Sequence, residues 1–294
     1  MTLVINNNIT AMSAARNLGT AYDALSKSTE RLSSGLRINS AADDAAGLAV
    51  RELMRSDIST LTQGVRNASD AISLIQTADG ALSVIDEKLI RMKELAEQAA
   101  TGTYNSSQRL VIDSEYQAMA SEITRIANAT DFNGIYLLNG NLSSATHDGS
   151  ALQSTGKLKV HFGTGNDSAE DYFYIQIGCS TSSALGVGNA ATGDGASIST
   201  QQAAQQALAA IDSAITSKDN IRANLGALQN RLEATISNLE IQAENLQAAE
   251  SRISDVDVAT EMTEYTRQQI IAQTATAMLA QANSLPQLAL SLIG

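Results

Sequence analysis

The chain contains 294 residues with a net charge of −12 at pH 7, one proline, one cysteine, no tryptophan and only 3% aromatic residues. The acidic charge argues against a nucleic-acid-binding protein, which needs a basic surface, and the lone cysteine excludes an internal disulfide and a cysteine-rich zinc site. A chain rich in alanine and aliphatic residues but almost free of proline favours long helices, because proline breaks helices and alanine is the best helix former.

Both ends of the chain lack charged residues. The first charged residue is Arg16 and the last is Arg267, so residues 1–15 and 268–294 carry no charge. The amino terminus has neither the basic segment nor the apolar core of a cleaved Sec-type signal, and no apolar run is long enough to predict a membrane span. Because chain termini are usually solvated, two explanations stay open: a terminal helix docks on its own domain, or other copies of the protein bury both ends.

Three stretches in the first half of the chain show helical periodicity. In residues 18–36 a seam of residues at steps of four and three predicts coiled-coil-like packing. From about residue 57 to residue 100 the alternation continues with one additional step of three at Ala78, which predicts a single long helix that is locally overwound. After TGTYNSSQ, a third run from Ile112 to Ile126 predicts a helix that ends at ATDFNG. The seam of the first stretch consists of Leu18, Tyr22, Leu25, Thr29, Leu32 and Leu36.

The stretch SSGLRINSAADDAAGLAV, residues 33–50, separates the first two of these helices and contains two adjacent carboxylates. It lacks the alternating oxygen ligands and the terminal glutamate of a calcium loop. We therefore expect Asn39 or Ser40 to cap a helix, with Asp43 and Asp44 in its first turn, where the helix macrodipole favours acidic residues. The pattern predicts a structural bend and no acid–base chemistry.

The middle of the chain changes character. LKVHFG (158–163) and DYFYIQIG (171–178) flank a turn-like TGNDSAE and predict a β-hairpin, while the Ser-, Thr- and Gly-rich segment 179–200 predicts a surface loop. The two histidines, His147 and His161, belong to no cysteine–histidine cluster, so we expect no metal site, no cofactor and no catalytic set. A return helix follows, since leucine or isoleucine recurs at every seventh position. These positions are Leu225, Leu232, Leu239, Leu246 and Ile253. The predicted fold is mainly α: both chain ends form a long coiled-coil-like helical bundle or rod, with a small β-hairpin insert in the middle.

Several long motifs resemble the characteristic segments of bacterial flagellins: INNNITAMSAARNL, ERLSSGLRINSAADDAAGLAV, ISLIQTADGAL, DFNG and NLQAAESRISDVDVATEMTEYTRQQIIAQTATAMLAQANSLPQLALSLIG. The resemblance covers about residues 1–140 and 205–294. It implies a structural subunit that polymerises into the flagellar filament, the propeller for motility, and no enzyme. It also implies three parts: an inner domain of terminal helices in the filament core (1–40 with 255–294), a helical rod domain (41–140 with 201–254), and a short solvent-facing insert (141–200).

The resemblance further implies a route out of the cell and a set of partners. Flagellins are exported unfolded by the flagellar type III apparatus, so we expect an extracellular location in the filament without a cleaved signal peptide. The expected partners are other copies of the chain, an export chaperone at the C-terminal segment, the filament cap and hook–filament junction proteins, and host innate immune receptors, with no nucleic acid and no membrane. Two alternatives stay open: a hook–filament junction protein of the same superfamily, and a secreted enzyme on a helical scaffold, which would need a convergent polar site in the insert.

The expected subunit interface lies on the terminal segments and on the bend between the first two helices. There Gly35 and Gly47 are expected to allow a change of direction and the close approach of another segment. The expected interface residues are Ile5, Ile9, Met12, Leu18, Leu25, Leu32, Gly35, Asn39, Asp43, Asp44, Gly47, Met278, Leu279, Leu285, Leu288 and Leu292.

Two segments resemble sites that host receptors recognise in flagellins. The block from Glu30 to Val50 is similar to the epitope sensed by plant receptor kinases, with Ala42 where a lysine is usual. LIRMKELAEQ, residues 89–98, resembles the segment contacted by the flagellin-sensing Toll-like receptor of vertebrates, and steps of four and three place its candidate residues on one helix face. The Toll-like receptor patch would comprise Arg91, Leu95, Gln98 and Glu115, and the plant epitope Arg31, Leu32, Ser33, Ser34, Gly35, Leu36, Arg37, Ile38, Asn39, Ser40, Asp43 and Asp44.

Overall fold

The structure is a computed structural model that describes residues 8–149, 155–168, 170–189 and 193–293, with the backbone alone for 155 and 285–293. Its helices are α1 (Ile9–Ser34), α2 (Ala45–Ala100), α3 (Ser106–Ala129), α4 (Ser182–Leu185), α5 (Gln201–Ser254) and α6 (Val258–Ile293). Its strands are β1 (Asp131–Phe132), β2 (Ile135–Tyr136), β3 (His147–Asp148), β4 (Thr155–Gly156), β5 (Leu158–His161) and β6 (Tyr172–Ile175). The predicted mainly α fold, with long helices from both chain ends and small β pairs in the middle, is confirmed. None of the helices in these ranges is long and apolar enough to cross a membrane.

The chain divides into two units. One is formed by Met1–Ile58 with Glu244–Gly294 and is called here the terminal unit; the other, Ser59–Ala243, is called the middle unit. The three-part division expected from the sequence resemblance stays a prediction.

In the terminal unit, α1 and α6 pack along each other through small side chains. Ala21, Ser28, Ala272 and Ala282 are each 7% exposed or less. Leu18, Leu25 and Leu32, which the sequence pattern places in the seam, are half-buried. Tyr22 and Thr29 are exposed, so the predicted seam is wrong at these two residues. The reason is physical: small residues let two helix backbones approach closely, and the larger side chains are then displaced to the edges of the contact.

In the middle unit, α2 has a continuous buried seam. One line of its buried positions alternates at steps of three and four without interruption, with Leu74 and Leu95 buried beside it, so the additional step predicted at Ala78 is wrong. Gly64 and Ala71 take the seam positions that the sequence pattern assigned to Val65 and Ile72, both of which are half-buried. The seam consists of Leu61, Gly64, Ala68, Ala71, Ile75, Ala78, Leu82, Ile85, Leu89, Met92, Ala96 and Ala99.

Helix α5 runs antiparallel to α2 in the middle unit. Three ion pairs join the two helices, and the residue number falls on α5 as it rises on α2: Asp79 pairs with Arg222, Asp86 with Lys218, and Lys93 with Asp212. Of the heptad positions predicted on the return helix, the three in this unit are buried and the last two are half-buried. They are Leu225, Leu232 and Leu239, followed by Leu246 and Ile253.

The predicted β-hairpin is confirmed as β5 and β6, which pair antiparallel from Leu158 opposite Ile175 to His161 opposite Tyr172. Gly64 on α2 permits the close approach of this hairpin, because a Cβ atom there would lie 2.0 Å from the carbonyl oxygen of Phe162.

The segment 179–200 differs from the predicted surface loop. Leu185, Val187 and Ile198 are buried, and the buried Tyr116 of α3 donates a hydrogen bond to the carbonyl of Gly195 at 2.8 Å. A few apolar residues within a Ser- and Gly-rich segment therefore suffice to hold it against α3.

Candidate subunit interface

Helix α1 ends at a glycine in the left-handed conformation. Gly35 has φ 73° and its N–H bonds to the carbonyl of Arg31 at 2.8 Å. A residue with a side chain rarely adopts this conformation, so glycine is the natural residue for ending α1 here. The predicted change of direction at Gly35 is thus present.

The residues after Gly35 pair with the connection between α5 and α6, and this pairing is called here the clasp. Leu36 forms an antiparallel bridge with Asp255. The Arg37 N–H donates to the carbonyl of Ser254 at 2.6 Å, and the guanidinium of Arg37 donates to the carbonyl of Ile253 at 2.7 and 3.2 Å. The clasp therefore ties the end of α1 to the residues just before α6.

Asp43 organises the turn between α1 and α2. Its carboxylate lies 2.7 Å from the Nζ of Lys27 and accepts hydrogen bonds from the N–H groups of Ser40 at 3.1 Å and Asn39 at 3.2 Å. The ammonium of Lys27 first, and these N–H groups next, hold the pKa of Asp43 well below its usual value. Asp43 is therefore an acceptor within a turn and lies before α2 rather than in its first turn.

Asp44 caps α2. The N–H of Gly47 donates to Oδ1 of Asp44 at 2.9 Å, and the helix begins at Ala45. The prediction that Asn39 or Ser40 caps this helix is wrong, because a turn over residues 40–43 intervenes and leaves Asp44 next to the first helical residue.

Gly47 is confined by its surroundings. A Cβ atom at this position would lie 2.5 Å from Oδ2 of Asp44 and 2.7 Å from Cδ1 of Ile38. Ile38 is 2% exposed, and its carbonyl accepts a hydrogen bond from Arg51 at 2.8 Å. The close approach expected at Gly47 is present within the chain itself.

Large apolar side chains of the terminal helices point outward. Ile9 is 68% exposed, Met12 62% and Met278 63%, so three predicted interface residues are available to a partner. A groove of about 430 Å³ between the two helices is lined by residues that include Ile9 and Met278. Other outward-facing apolar residues of these helices are Tyr22, Val258, Met262, Ile270 and Ile271.

The remaining predicted interface residues fall into two groups. Leu279 is half-buried, as are Leu18, Leu25 and Leu32 described above. Ile5 lies outside the described residues, and so do the side chains of Leu285, Leu288 and Leu292.

The segment expected to contact the Toll-like receptor is partly exposed. Nη2 of Arg91 lies 2.8 Å from Oε1 of Glu115, and Gln98 donates to the hydroxyl of Tyr104 at 2.9 Å. Leu95 is only 1% exposed, so it is a core residue and the expected surface shared by Arg91, Leu95 and Gln98 lacks its apolar member.

The segment expected to be the plant epitope crosses three local structures. Arg31–Ser34 is the last turn of α1, the residues from Gly35 to Arg37 form one side of the clasp, and the remainder belongs to the turn before α2. Ile38 in its middle is buried.

Sequence reasoning missed the small-residue seam and the clasp. The seam had a signal, because Ala21 and Ser28 on α1 are seven residues apart, and Ala272 and Ala282 on α6 are ten apart, a spacing that also keeps two residues on one helix face. The clasp had none, since its two sides are more than two hundred residues apart in sequence. Within the ranges that the structure describes, no three His, Cys, Asp or Glu side chains lie close enough to hold a metal ion.

Two family models match most of the chain: the bacterial flagellin N-terminal helical region over residues 5–143, and the C-terminal helical region over residues 208–293. The chain is 43% identical to the flagellar filament 33 kDa core protein of Treponema phagedenis and 43% identical to a flagellin of Halalkalibacterium halodurans, in each case over 99% of this chain and 100% of the relative. A crystal structure of Bacillus cereus flagellin, 30% identical, covers 63% of this chain and 94% of that chain with a TM-score of 0.46. By these family matches and full-length identities, the chain belongs to the bacterial flagellin family.

Proposed function

We propose that the chain is the repeating subunit of a bacterial flagellar filament. The observation that carries this proposal is the arrangement of α1 and α6, which pack through small residues and leave large apolar side chains such as Ile9, Met12 and Met278 exposed. The related filament core protein of Treponema phagedenis supports it. Flagellins are structural filament proteins, and the role is mechanical rather than enzymatic.

Burial by neighbouring copies supplies the free energy of assembly. Complete burial of a large aliphatic or aromatic side chain stabilises by about 1.5–3 kcal/mol, and the terminal helices expose several such side chains. A contact between different faces of identical subunits that does not close into a ring generates an open helical assembly. We therefore propose that other copies of the chain bury its uncharged ends.

The filament lies outside the cell, and we propose that the chain reaches it unfolded through the flagellar type III export apparatus. A chaperone at the C-terminal segment, the filament cap and the hook–filament junction proteins are proposed partners on the basis of family membership. The small-residue contact between α1 and α6 supports this route, because little apolar area must be exposed to separate the two helices. Secretion of the chain by cells that lack the export apparatus would contradict it.

Seeded elongation tests the filament function. Monomers from heat-dissociated filaments should elongate short filament fragments, as observed by electron microscopy. A chain shortened by its last twenty or so residues should fail to elongate the same seeds, because it lacks apolar residues that neighbouring copies bury. Circular dichroism should show that the middle unit of the shortened chain keeps its helices. Normal filaments from the shortened chain would contradict the proposal, and growth that stops after a few copies would favour the junction-protein alternative.

Recognition by the Toll-like receptor is a separate proposal for the surface around Arg91 and Glu115. The Arg91 side chain is 48% exposed and the Glu115 side chain 44%, so both are available to a partner. Substitution Arg91→Ala should reduce the response of receptor-expressing reporter cells by about tenfold or more, since a charged hydrogen bond contributes roughly 1.5–3 kcal/mol. The matched control is Arg125→Ala on α3, which removes another exposed Arg–Glu pair. Equal responses to the two variants would contradict the proposal.

Recognition by plant receptors is proposed for the released segment rather than for the folded chain. Ile38 is buried and Arg37 is held in the clasp. A receptor that binds an extended peptide therefore cannot contact the whole segment while the chain is folded. A synthetic peptide of residues 30–50 should therefore bind a plant receptor ectodomain more tightly than the intact monomer does in calorimetry. Equal affinities would contradict this proposal.

A further inference from the structure

A charged residue occupies the apolar seam of α5 in the middle unit. From Ala204 to Leu239 the seam positions alternate at steps of three and four, and every one except Lys218 is uncharged. Lys218 is 1% exposed, although lysine is among the residues that are least often fully buried. The seam positions are Ala204, Ala207, Ile211, Ala214, Lys218, Ile221, Leu225, Leu228, Leu232, Thr235 and Leu239.

Two carboxylates pair with the buried ammonium group. Nζ of Lys218 lies 2.5 Å from Oδ1 of Asp86 on α2 and 2.8 Å from Oδ1 of Asp219 on its own helix. A buried ion pair is often no more stabilising than apolar side chains of the same volume, because the charges lose their hydration. Stability alone therefore does not account for a lysine where the rest of the seam would accept a leucine or methionine.

The pair belongs to a ladder of three ion pairs between α2 and α5. The α2 members, Asp79, Asp86 and Lys93, are seven residues apart, and the sign of the charge reverses at the third. A single charged residue in a coiled-coil seam can specify helix register at some cost in stability.

We propose that Lys218, through Asp86, fixes the register of α5 along α2. The apolar seams alone repeat every seven residues, so a slip by seven residues would again align apolar positions. A slip in one direction would place Lys218 opposite Lys93 and Arg222 opposite Asp86, and a slip in the other would place Asp212 opposite Asp86 and Lys218 opposite Asp79. Either slip therefore replaces three attractive pairs by one attractive and one repulsive pair, and it separates Lys218 from Asp86. About one hundred residues join Ala100 to Gln201, and a long connection costs little extra closure entropy when the register changes.

Distance measurements on the refolded full-length monomer test the proposal. Spin labels are attached at Ser69→Cys on α2 and Thr216→Cys on α5, both exposed positions, in a chain with Cys179→Ser, and pulsed electron paramagnetic resonance gives the distance between them. The chain with Lys218 should give one distance. After refolding, Lys218→Met should give a second population displaced by roughly 10 Å, which is the rise of seven helical residues.

The matched control is Lys93→Met, which removes the exposed pair of the same ladder but keeps the buried Lys218–Asp86 pair, so it should leave one distance. Thermal unfolding should show Lys218→Met to be as stable as the parent or more stable, since Lys218 is proposed to specify the register of α5 and not to stabilise the fold. A single unshifted distance in Lys218→Met would overturn the proposal, because the apolar seam would then be sufficient. Failure of Lys218→Met to fold, seen by circular dichroism, would also overturn it, because the lysine would then be needed for stability.

Discussion

At the scale of single residues, the turn before α2 depends on the ionised state of Asp43. Its pKa is lowered in the folded chain from the ordinary 3.8, mainly by the ammonium of Lys27 and then by the backbone N–H groups of Ser40 and Asn39. A carboxyl group whose pKa is lower in the folded than in the unfolded state stabilises the fold above its unfolded pKa, and this stabilisation is lost as pH falls below that value. The terminal unit should therefore weaken in acid, starting near pH 4.

Substitution Asp43→Asn should lower the thermal dissociation temperature of filaments at pH 7, because a neutral amide cannot pair with Lys27. It should also narrow the difference in dissociation temperature between pH 7 and about pH 3, since one group that titrates in this window has been removed. Light scattering during heating measures both temperatures. The control is Asp23→Asn on the exposed side of α1. A variant at Asp43 with the same pH dependence as the parent would contradict the assigned role.

At the scale of elements, the contact between α1 and α6 requires small residues. Ala21 is 3% exposed and Ala272 is 5% exposed, so neither position has space for a larger side chain unless the helices separate. Substitution Ala21→Leu should cost about 1–3 kcal/mol through overpacking and should abolish seeded elongation. Ala21→Ser is the control, because a serine, Ser28, already occupies the position seven residues further on. Elongation by the leucine variant at the parent rate would show that the close contact is not needed in the filament.

The sequence predicts helices better than it predicts which residues join them. The periodicity of α2 is evident because large apolar residues such as Leu82 and Leu89 repeat along one face, and both are fully buried. In α1 the same pattern favours burial of Tyr22 over Ala21, because it reads burial from hydrophobic size. Where two helices approach closely, the smallest residue occupies the contact, and a pattern of large residues indicates the wrong face.

The cap of α2 and the contacts between distant parts of the chain are not predictable from the sequence pattern. The pattern predicts a structural role for Asp43 and Asp44, but it places the helix cap at Asn39 or Ser40, because the turn between them and Asp44 leaves no clear signal in sequence. The pairing of Leu36 with Asp255 depends on backbone groups, which every residue carries, so side-chain identity does not reveal it. Lys218 was likewise hidden, since a lysine between apolar residues is usually assigned to a solvated face.

At the scale of the whole molecule, the two units differ in how much of their own apolar surface they bury. The middle unit contains fully buried large side chains such as Ile85 and Met92, whereas the buried residues of the α1–α6 contact are mostly alanine and serine. Because burial of alanine contributes much less than burial of leucine, the terminal unit should depend on neighbouring copies for its stability.

Hydrogen exchange followed by mass spectrometry should show this difference. In the monomer, amides of α2 from residue 59, of α3 and of α5 up to residue 243 should be protected, while those of α1 and of α6 up to residue 284 should exchange within seconds to minutes. In the filament both sets should be protected. Strong protection of α1 and α6 in the monomer would contradict this prediction and favour the alternative in which the ends dock on their own domain.

The uncharged ends also bear on how quickly a filament grows. All of the chain's charged side chains lie between Arg16 and Arg267, and their sum is −12. An arriving subunit is therefore repelled by the filament at long range, while the attraction of its uncharged ends acts only on contact. Salt shortens the range of the repulsion from about 30 Å at 0.01 M to about 8 Å at 0.15 M and leaves the apolar contact largely unchanged. Ionic strength thus acts on the rate of encounter, whereas side-chain size along α1 and α6 determines how long an attached subunit stays.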